Sequence, residues 1–260
     1  MIPERLERGW RVIATGISFA TFGVGGIALR VLFFPLLSLL VRNKPRRTRL
    51  ARLAVHHSFR FFVGLMRFLG CLDYRIDGVE KLARPGLLIL ANHPTLIDVV
   101  FLISLVPNAD CVVKASLANN PFMRGPIEAT GYLCNDSGPE LVQACIASVK
   151  AGNNLIIFPE GTRTPESGPM KLQRGAANIA VRGPCDITPV TIQVAPLALT
   201  KGRPWWRVAP TRMKFNIVIQ DDIRVSSLVE EAHGEALAAR HLTERLHDYF
   251  STETQRHAGA

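Results

Sequence analysis

The sequence predicts an α/β fold, a central, mostly parallel or mixed sheet covered by helices, with an N-terminal helical membrane-anchoring hairpin. Three observations predict it. Short apolar runs after residue 86 alternate with longer mixed segments, and several runs are too uniformly apolar for a sheet with one wet face. The longest apolar run lies near the N-terminus, with basic residues on both flanks. The net charge of +10 sits entirely there: residues 1–75 hold 13 Lys/Arg against 3 Asp/Glu, whereas residues 76–260 hold 18 of each.

From Val12 to Leu29 the chain carries no charge; Arg30 interrupts, and Val31–Val41 continues apolar through Pro35. Thirty helical residues span roughly 45 Å, against a hydrocarbon core of about 30 Å. One straight span is therefore long, and it would draw Arg30 inside. The helix either tilts and lets Arg30 snorkel, or breaks near Gly23-Val24-Gly25-Gly26 and returns as a re-entrant hairpin. Arg5, Arg8 and Arg11 precede the run; Arg42, Lys44, Arg46, Arg47 and Arg49 follow it. Positive charge on both sides favours the hairpin, with both ends on the cytoplasmic face of the cell inner membrane. A cleaved signal peptide fits poorly, since the apolar run is long for one and no small-x-small site follows it before Arg30. Residues 1–48 are thus read as membrane-embedded and 49–260 as the globular domain.

Residues 49–69 place Arg49, Arg52, His56, Arg60 and Arg67 on one helical stripe, with Leu50, Leu53, Phe61, Phe62, Leu65 and Phe68 filling much of the rest. This pattern predicts an interfacial helix; a core-packed helix with a solvated basic face is the competing reading. His56 and His57 are adjacent and cannot share a helical face as metal ligands, so contact with solvent or headgroups is expected.

Beyond it, Leu87–Ala91, Cys111–Lys114, Leu155–Phe158, Thr188–Val194 and Phe215–Ile219 read as strands. Helices are expected at about Thr95–Leu105, at Pro139–Lys150 and at Gly175–Val181. Ser227-Leu-Val-Glu230 is a capping box that opens an amphipathic helix to about Phe250. The basic residues flank an apolar run rather than a folded recognition element, which points to anionic lipid and away from nucleic acid. Five widely spaced cysteines with no CxxC pair support neither a zinc site nor a disulfide framework, and read as buried thiols in a reducing compartment.

No GxSxG elbow, GxxxxGK[ST] phosphate loop, HExxH helix or GxGxxG turn after a strand is present. What remains is a constellation at two strand ends. Asn92-His-Pro-Thr-Leu-Ile-Asp98 follows the first strand, and Pro94 suits the first turn of a helix. His93 then lies in the turn and Asp98 one turn inside the helix, where its carboxylate can orient the imidazole and leave the other nitrogen as a base toward a hydroxyl. His93 is the one histidine with an aspartate five residues on. Taken alone, a turn histidine beside a helix N-terminal aspartate accounts for this pair equally well. Phe158-Pro-Glu-Gly-Thr-Arg163 also ends a strand. Gly161 admits close backbone approach of a ligand, and Arg163 can fork onto phosphate.

Together, 67 residues apart and in this order, the two segments resemble the H-x4-D and FPEGTR blocks of the glycerolipid (lysophospholipid) acyltransferase family, whose members include 1-acylglycerol-3-phosphate acyltransferases. Thr188-Pro-Val190 is similar to that family's fourth block, and Gly131–Asp136 stands where the second falls. The resemblance covers about Leu87–Val194. It implies that His93 deprotonates an acceptor hydroxyl with Asp98 orienting it, and that the hydroxyl attacks the thioester of acyl-CoA or an acyl-carrier protein. It further implies that Glu160, Gly161, Thr162 and Arg163 bind the polar headgroup of a lysophospholipid acceptor, with no metal, no cofactor and no covalent acyl-enzyme.

One position departs from the pattern. Members that use a phosphate-bearing acceptor end the second block in a basic residue after an acidic one, and here Asn135-Asp136 stands instead. Lys114, Arg124, Lys171 and Arg174 are the candidate substitutes. The departure leaves open a different lipid alcohol, as in the aryl-polyene-type lipid branch that this chain also resembles. A lipid hydrolase is disfavoured by the lack of a nucleophile elbow, and a non-catalytic membrane adaptor by the presence of both His93 and Asp98.

Overall fold

The structure, a computed structural model, describes residues 4–118, 120, 123–135, 138–166, 168–226, 229, 232 and 234–256. Helix α1 (Glu4–Ala28) runs through the glycine cluster without a break. It passes through a π-helical turn at Leu29–Phe33 into α2 (Phe34–Leu40). The expected reversal near Gly23–Gly26 is therefore absent: glycine lowers helix propensity by only about 1 kcal/mol and terminates nothing by itself. Pro35 is the true irregularity. It lacks an N–H and crowds the preceding turn, and the Phe34 N–H bonds five residues back to Leu29 O, the wider turn that accommodates it.

The chain reverses at residues 41–43 instead. There the Asn43 side chain accepts from the Arg46 N–H at 2.9 Å and Pro45 occupies the first turn of α3 (Lys44–Phe68). Helix α3 returns antiparallel along α1: Trp10 Nε1 donates to Leu69 O at 2.9 Å, and the Phe22 and Phe62 rings meet edge to face at 5.1 Å. A hairpin does form, one helix later than expected, and the boundary placed at residue 48 falls inside α3.

Helix α3 is packed on both sides, which corrects the reading of its basic stripe. Arg52 and His56 are buried. Arg52 donates to Thr130 O and pairs with the equally buried Asp110 at 2.9 Å, while the His56 Nδ1 lies 2.8 Å from Ile103 O. Arg49, His57, Arg60 and Arg67 stay exposed.

Gly70, at φ +79°, turns the chain into β1 (Leu72–Asp77). There follow β2 (Leu88–Ala91), α4 (Asp98–Leu105), β3 (Ala109–Val113), the short α5 (Ala115–Ala118), α6 (Arg124–Thr130) and β4 (Leu133–Cys134). The remainder is α7 (Pro139–Lys150), β5 (Asn154–Ile157), α8 (Gly175–Arg182), β6 (Ile187–Ala195), β7 (Met213–Ile219) and α9 (Glu235–Arg256). The seven strands form one sheet in the order β1-β7-β6-β2-β5-β3-β4. All neighbours are parallel except β6 and β7, so five strands run one way and the β1/β7 pair runs the other.

This explains the uniformly apolar strands. In β2, Ile89 and Ala91 enter the core shared with α3 and α4, whereas Leu88 and Leu90 enter the opposite core beneath α7, α8 and α9. The capping box at 227–230 lies largely outside the described residues, and the helix itself begins at Glu235. All five cysteines are free thiols; Cys71, Cys111 and Cys145 are buried, Cys134 and Cys185 partly so.

Candidate active site

Parallel strands end on a common edge, and the loops leaving β2 and β5, hydrogen-bonded neighbours, are necessarily adjacent there. After Ala91, the Asn92 side chain closes a two-way bond with β6: its amide donates to Ile192 O at 2.8 Å and its oxygen accepts the Ile192 N–H at 2.7 Å. That lock fixes where the next residue, His93, begins.

His93 Nδ1 lies 2.9 Å from Asp98 Oδ2. Asp98 is fully buried, and its carboxylate also accepts from the amide and the hydroxyl of Thr95. It is the first residue of α4 rather than one turn inside, because residues 95–97 form a separate turn that these bonds close. Burial pushes the Asp98 carboxyl up, and the bonds from His93 and Thr95 pull against that shift. The imidazole stacks against Phe158, ring centroids 4.3 Å apart, with the side chain 16% exposed. Its Nε2 has no protein partner among the described residues. An imidazole oriented in this way by a buried carboxylate, with its other nitrogen unpartnered, has the geometry to act as a general base.

The β5 loop supports the same turn. Glu160 is buried, and its Oε1 accepts the His93 backbone N–H at 3.0 Å and the Thr164 hydroxyl at 2.6 Å. The Thr164 N–H in turn donates to His93 O at 2.7 Å. Glu160 Oε2 is buried without a partner, and burial pushes this carboxyl up. Gly161 adopts φ +65°, a conformation in which side-chain-bearing residues are strained. Thr162 is half-buried beside it. Arg163 reaches across to the β6–β7 loop, where Nη1 donates to Leu199 O and Thr200 O at 3.0 and 2.8 Å. Its Nε and Nη2 form no hydrogen bond among the described residues, so the outer side of the guanidinium remains for an anion. Leu199 O also accepts the Leu96 N–H at 3.0 Å, so one carbonyl ties both site loops to a third. Leu199 holds φ +57°, costing about 1–2 kcal/mol for a residue with a Cβ.

All six residues singled out in the sequence therefore meet at one sheet edge, His93 and Asp98 in contact, Glu160 against the His93 backbone, and Arg163 on the adjoining loop. Four supporting residues were missed. Thr95 had a signal, since Thr95-x-x-Asp98 is a capping-box spacing. Asn92, Thr164 and Leu199 act through partners remote in sequence or through backbone geometry, and carried none.

The substitute cations separate. Lys114 is exposed at the end of β3, beside Asn135, whose side chain is occupied by the Ala115 N–H at 3.1 Å. Arg124 pairs with Glu128. Lys171 and Arg174 flank Gln173, whose N–H donates to Pro159 O at 2.7 Å, so that segment is docked on the β5 loop. Asp136 lies outside the described residues. Away from the edge, Phe22, Leu29, Val55, Phe59 and Met123 help line an apolar cavity of about 360 Å³ between α1, α3 and the start of α6.

Residues 73–193 match the Acyltransferase family model. Relatives include the 1-acyl-sn-glycerol-3-phosphate acyltransferase of Pseudomonas aeruginosa, 28% identical over 145 residues, 54% of this chain and 56% of that protein. The enzyme of the same name from Saccharomyces cerevisiae is 29% identical over 142 residues, 51% of this chain and 47% of that protein. The chain thus spans about half the length of these curated relatives. The crystal structure of the 1-acyl-sn-glycerophosphate acyltransferase PlsC from Thermotoga maritima superposes with a TM-score of 0.66 at 21% identity, covering 95% of both chains, and so shares the fold.

Proposed function

We propose, from the match of residues 73–193 to the Acyltransferase family model, that the chain transfers a fatty acyl group from a thioester donor, acyl-CoA or acyl-carrier protein, to the free hydroxyl of 1-acylglycerol-3-phosphate. The observation that carries this reading is the His93–Asp98 pair at 2.9 Å, its Nε2 free, set beside Arg163 on the neighbouring loop.

His93 Nε2 takes the proton of the acceptor hydroxyl as its oxygen attacks the thioester carbonyl carbon. Asp98 holds the Nδ1–H and stabilises the imidazolium that forms. Collapse of the tetrahedral intermediate breaks the carbon–sulfur bond, and the departing thiolate receives the proton from His93. An ester and a free thiol leave, and the base is restored. No covalent enzyme intermediate enters the scheme.

Arg163 binds the acceptor's phosphate through Nε and Nη2, the nitrogens its loop contacts leave over. Lys114, beside Asn135, takes the role of the basic residue that the second block lacks. Glu160, buried against the His93 amide, positions the catalytic turn rather than touching the headgroup. The apolar cavity between α1 and α3, of about 360 Å³, accommodates an acyl chain. The helix Leu6–Leu40, whose most apolar 18-residue stretch has a mean hydropathy of 1.9 and is mostly unburied, inserts in the membrane where acceptor and product reside, with the site on the cytoplasmic face.

A second reading keeps the chemistry and changes the acceptor to a lipid alcohol without phosphate; the Asn135-Asp136 departure favours it. Steady-state transfer to 1-acylglycerol-3-phosphate and to neutral lipid alcohols, followed by mass spectrometry, separates the two. The phosphate reading expects lysophosphatidate to be preferred, and Arg163→Lys and Lys114→Ala to raise its KM at least tenfold. Transfer confined to neutral alcohols, indifferent to both substitutions, refutes it.

A further inference from the structure

The β6–β7 loop, residues 196–212, has surface chemistry that the transfer reaction does not use. It carries Lys201, Arg203, Arg207 and Arg212 and no acidic residue. Leu197, Trp205 and Trp206 are exposed, Trp206 by 58%. Two adjacent tryptophans left in water forfeit a large burial term, and clusters of this kind mark contact surfaces.

The loop adjoins the apolar N-terminal helix directly. Trp205 lies against Gly16, where an added Cβ would sit 3.5 Å from its ring, and its ring centroid is 6.0 Å from that of Phe19. Trp206 meets Trp205 edge to face at 5.7 Å. On the same helix Leu6, Trp10, Ile13 and Ile17 are exposed. The tryptophans and the helix thus form one continuous apolar surface, bordered by cations. Of the carboxylates beside the loop, Glu166 is taken up by Thr200 and Arg203 and Glu7 by Arg11, which also donates to Pro210 O, whereas Lys201 and Arg207 form no ion pair among the described residues. Tryptophan settles at the boundary between headgroups and acyl chains because its ring is apolar and its N–H needs a polar partner, and lysine and arginine beside it attract anionic lipid.

We propose that this loop is a second membrane contact, with Trp206 seated at the headgroup boundary of an anionic bilayer and Lys201 and Arg207 on its phosphates. The proposal rests on the reading of the N-terminal helix as membrane-inserted. It assigns the loop a further consequence, because the Leu199 and Thr200 carbonyls hold Arg163 and the Leu199 carbonyl holds the Leu96 N–H of the His93 turn. Seating the loop therefore fixes both site turns at the depth where the headgroup of a lipid substrate lies.

The test uses the full chain reconstituted with vesicles of phosphatidylcholine and phosphatidylglycerol. Trp10→Phe with Trp205→Phe leaves Trp206 as the sole tryptophan. Its emission is expected to shift to the blue, its quenching by acrylamide to fall at least threefold relative to free tryptophan, and lipids brominated near the headgroup to quench it more than lipids brominated near the chain ends. Subtracting the spectrum of Trp206→Phe from that of the native chain gives the same information with a single surface change, should the double variant misfold. Flotation in a density gradient reports separately whether the chain binds the vesicles. A chain that floats while Trp206 stays as accessible as free tryptophan overturns the loop contact and leaves the membrane reading standing. A Trp206 shielded from acrylamide yet unquenched by brominated lipid also overturns it, since protein then covers the loop. A chain that does not float overturns both.

Discussion

Asp98→Asn isolates the electrostatic role of the buried carboxylate. The Nδ1–Oδ2 distance of 2.9 Å puts the charge centres of imidazolium and carboxylate about 4 Å apart, where their attraction is about 4 kcal/mol at an effective dielectric constant of ~20. In the proposed mechanism the imidazolium forms as the acceptor's proton is taken up, so most of that energy is lost from the transition state alone. The expected fall in kcat is about 10³-fold, with little change in KM. The fold should tolerate the change. An asparagine oxygen can take the Thr95 N–H and the imidazole, and its amide can donate to the Thr95 hydroxyl, which accepts as readily as it donates. Steady-state transfer assays with circular dichroism on the same preparation give both numbers. A folded Asp98→Asn protein with kcat within fivefold of the native value refutes the argument.

Three further outcomes follow from the geometry. Arg52→Met leaves the Asp110 carboxylate buried with the Ser148 hydroxyl and the Cys111 amide as its remaining donors, so denaturant unfolding should show a loss of about 3–5 kcal/mol; adding Asp110→Leu should recover part of it, and a double variant as unstable as the sum of the singles contradicts the pairing. The Glu160 carboxyl, raised by burial, contributes stability that is full below its unfolded value of ~4.3 and is lost as pH rises through the folded value. Glu160→Gln removes this titration, so unfolding at pH 4.5 and 7.5 should show the balance moving toward the variant at the higher pH, and movement the other way refutes it. Gly78→Ala, at φ +80° with its new Cβ only 2.4 Å from Ile219 O, should lower stability by about 1–3 kcal/mol in the same assay, and a neutral result contradicts the packing there.

What was legible in the sequence was whatever depends on local pattern. The strands β2, β5 and β6 announce themselves because a sheet covered on both faces demands apolar side chains in both directions, β7 by the alternation of Phe215, Ile217 and Ile219 with less buried residues, and helix α7 was located at its observed ends. Strand β1 was missed although Leu72, Tyr74 and Ile76 alternate with charged residues, the pattern of a one-sided edge strand that a search for uniform runs passes over. Strand β4, two residues long, has no pattern to read. The basic stripe of α3 misled for a different reason. Spacing shows which residues share a face but not what that face meets, and the partner of Arg52 is a buried aspartate on a distant strand. The same distinction runs through the site. His93 and Asp98 are five residues apart and could be paired on paper, whereas Asn92 meets Ile192 and Arg163 meets Leu199 only because the sheet order makes them neighbours.

The central claim is that His93 is the base for acyl transfer. The measurement that tests it most directly is single-turnover transfer of an isotopically labelled acyl group from its thioester to 1-acylglycerol-3-phosphate, for the native protein and for His93→Ala, with product counted by mass spectrometry. His93 is 16% exposed and its ring packs mainly on Phe158, so the substitution removes the base and little of the core. The account predicts that the native protein forms labelled diacylglycerol phosphate and that the variant, folded and equally membrane-bound, forms it at least 10³-fold more slowly. A variant that retains more than a few per cent of the native rate contradicts it.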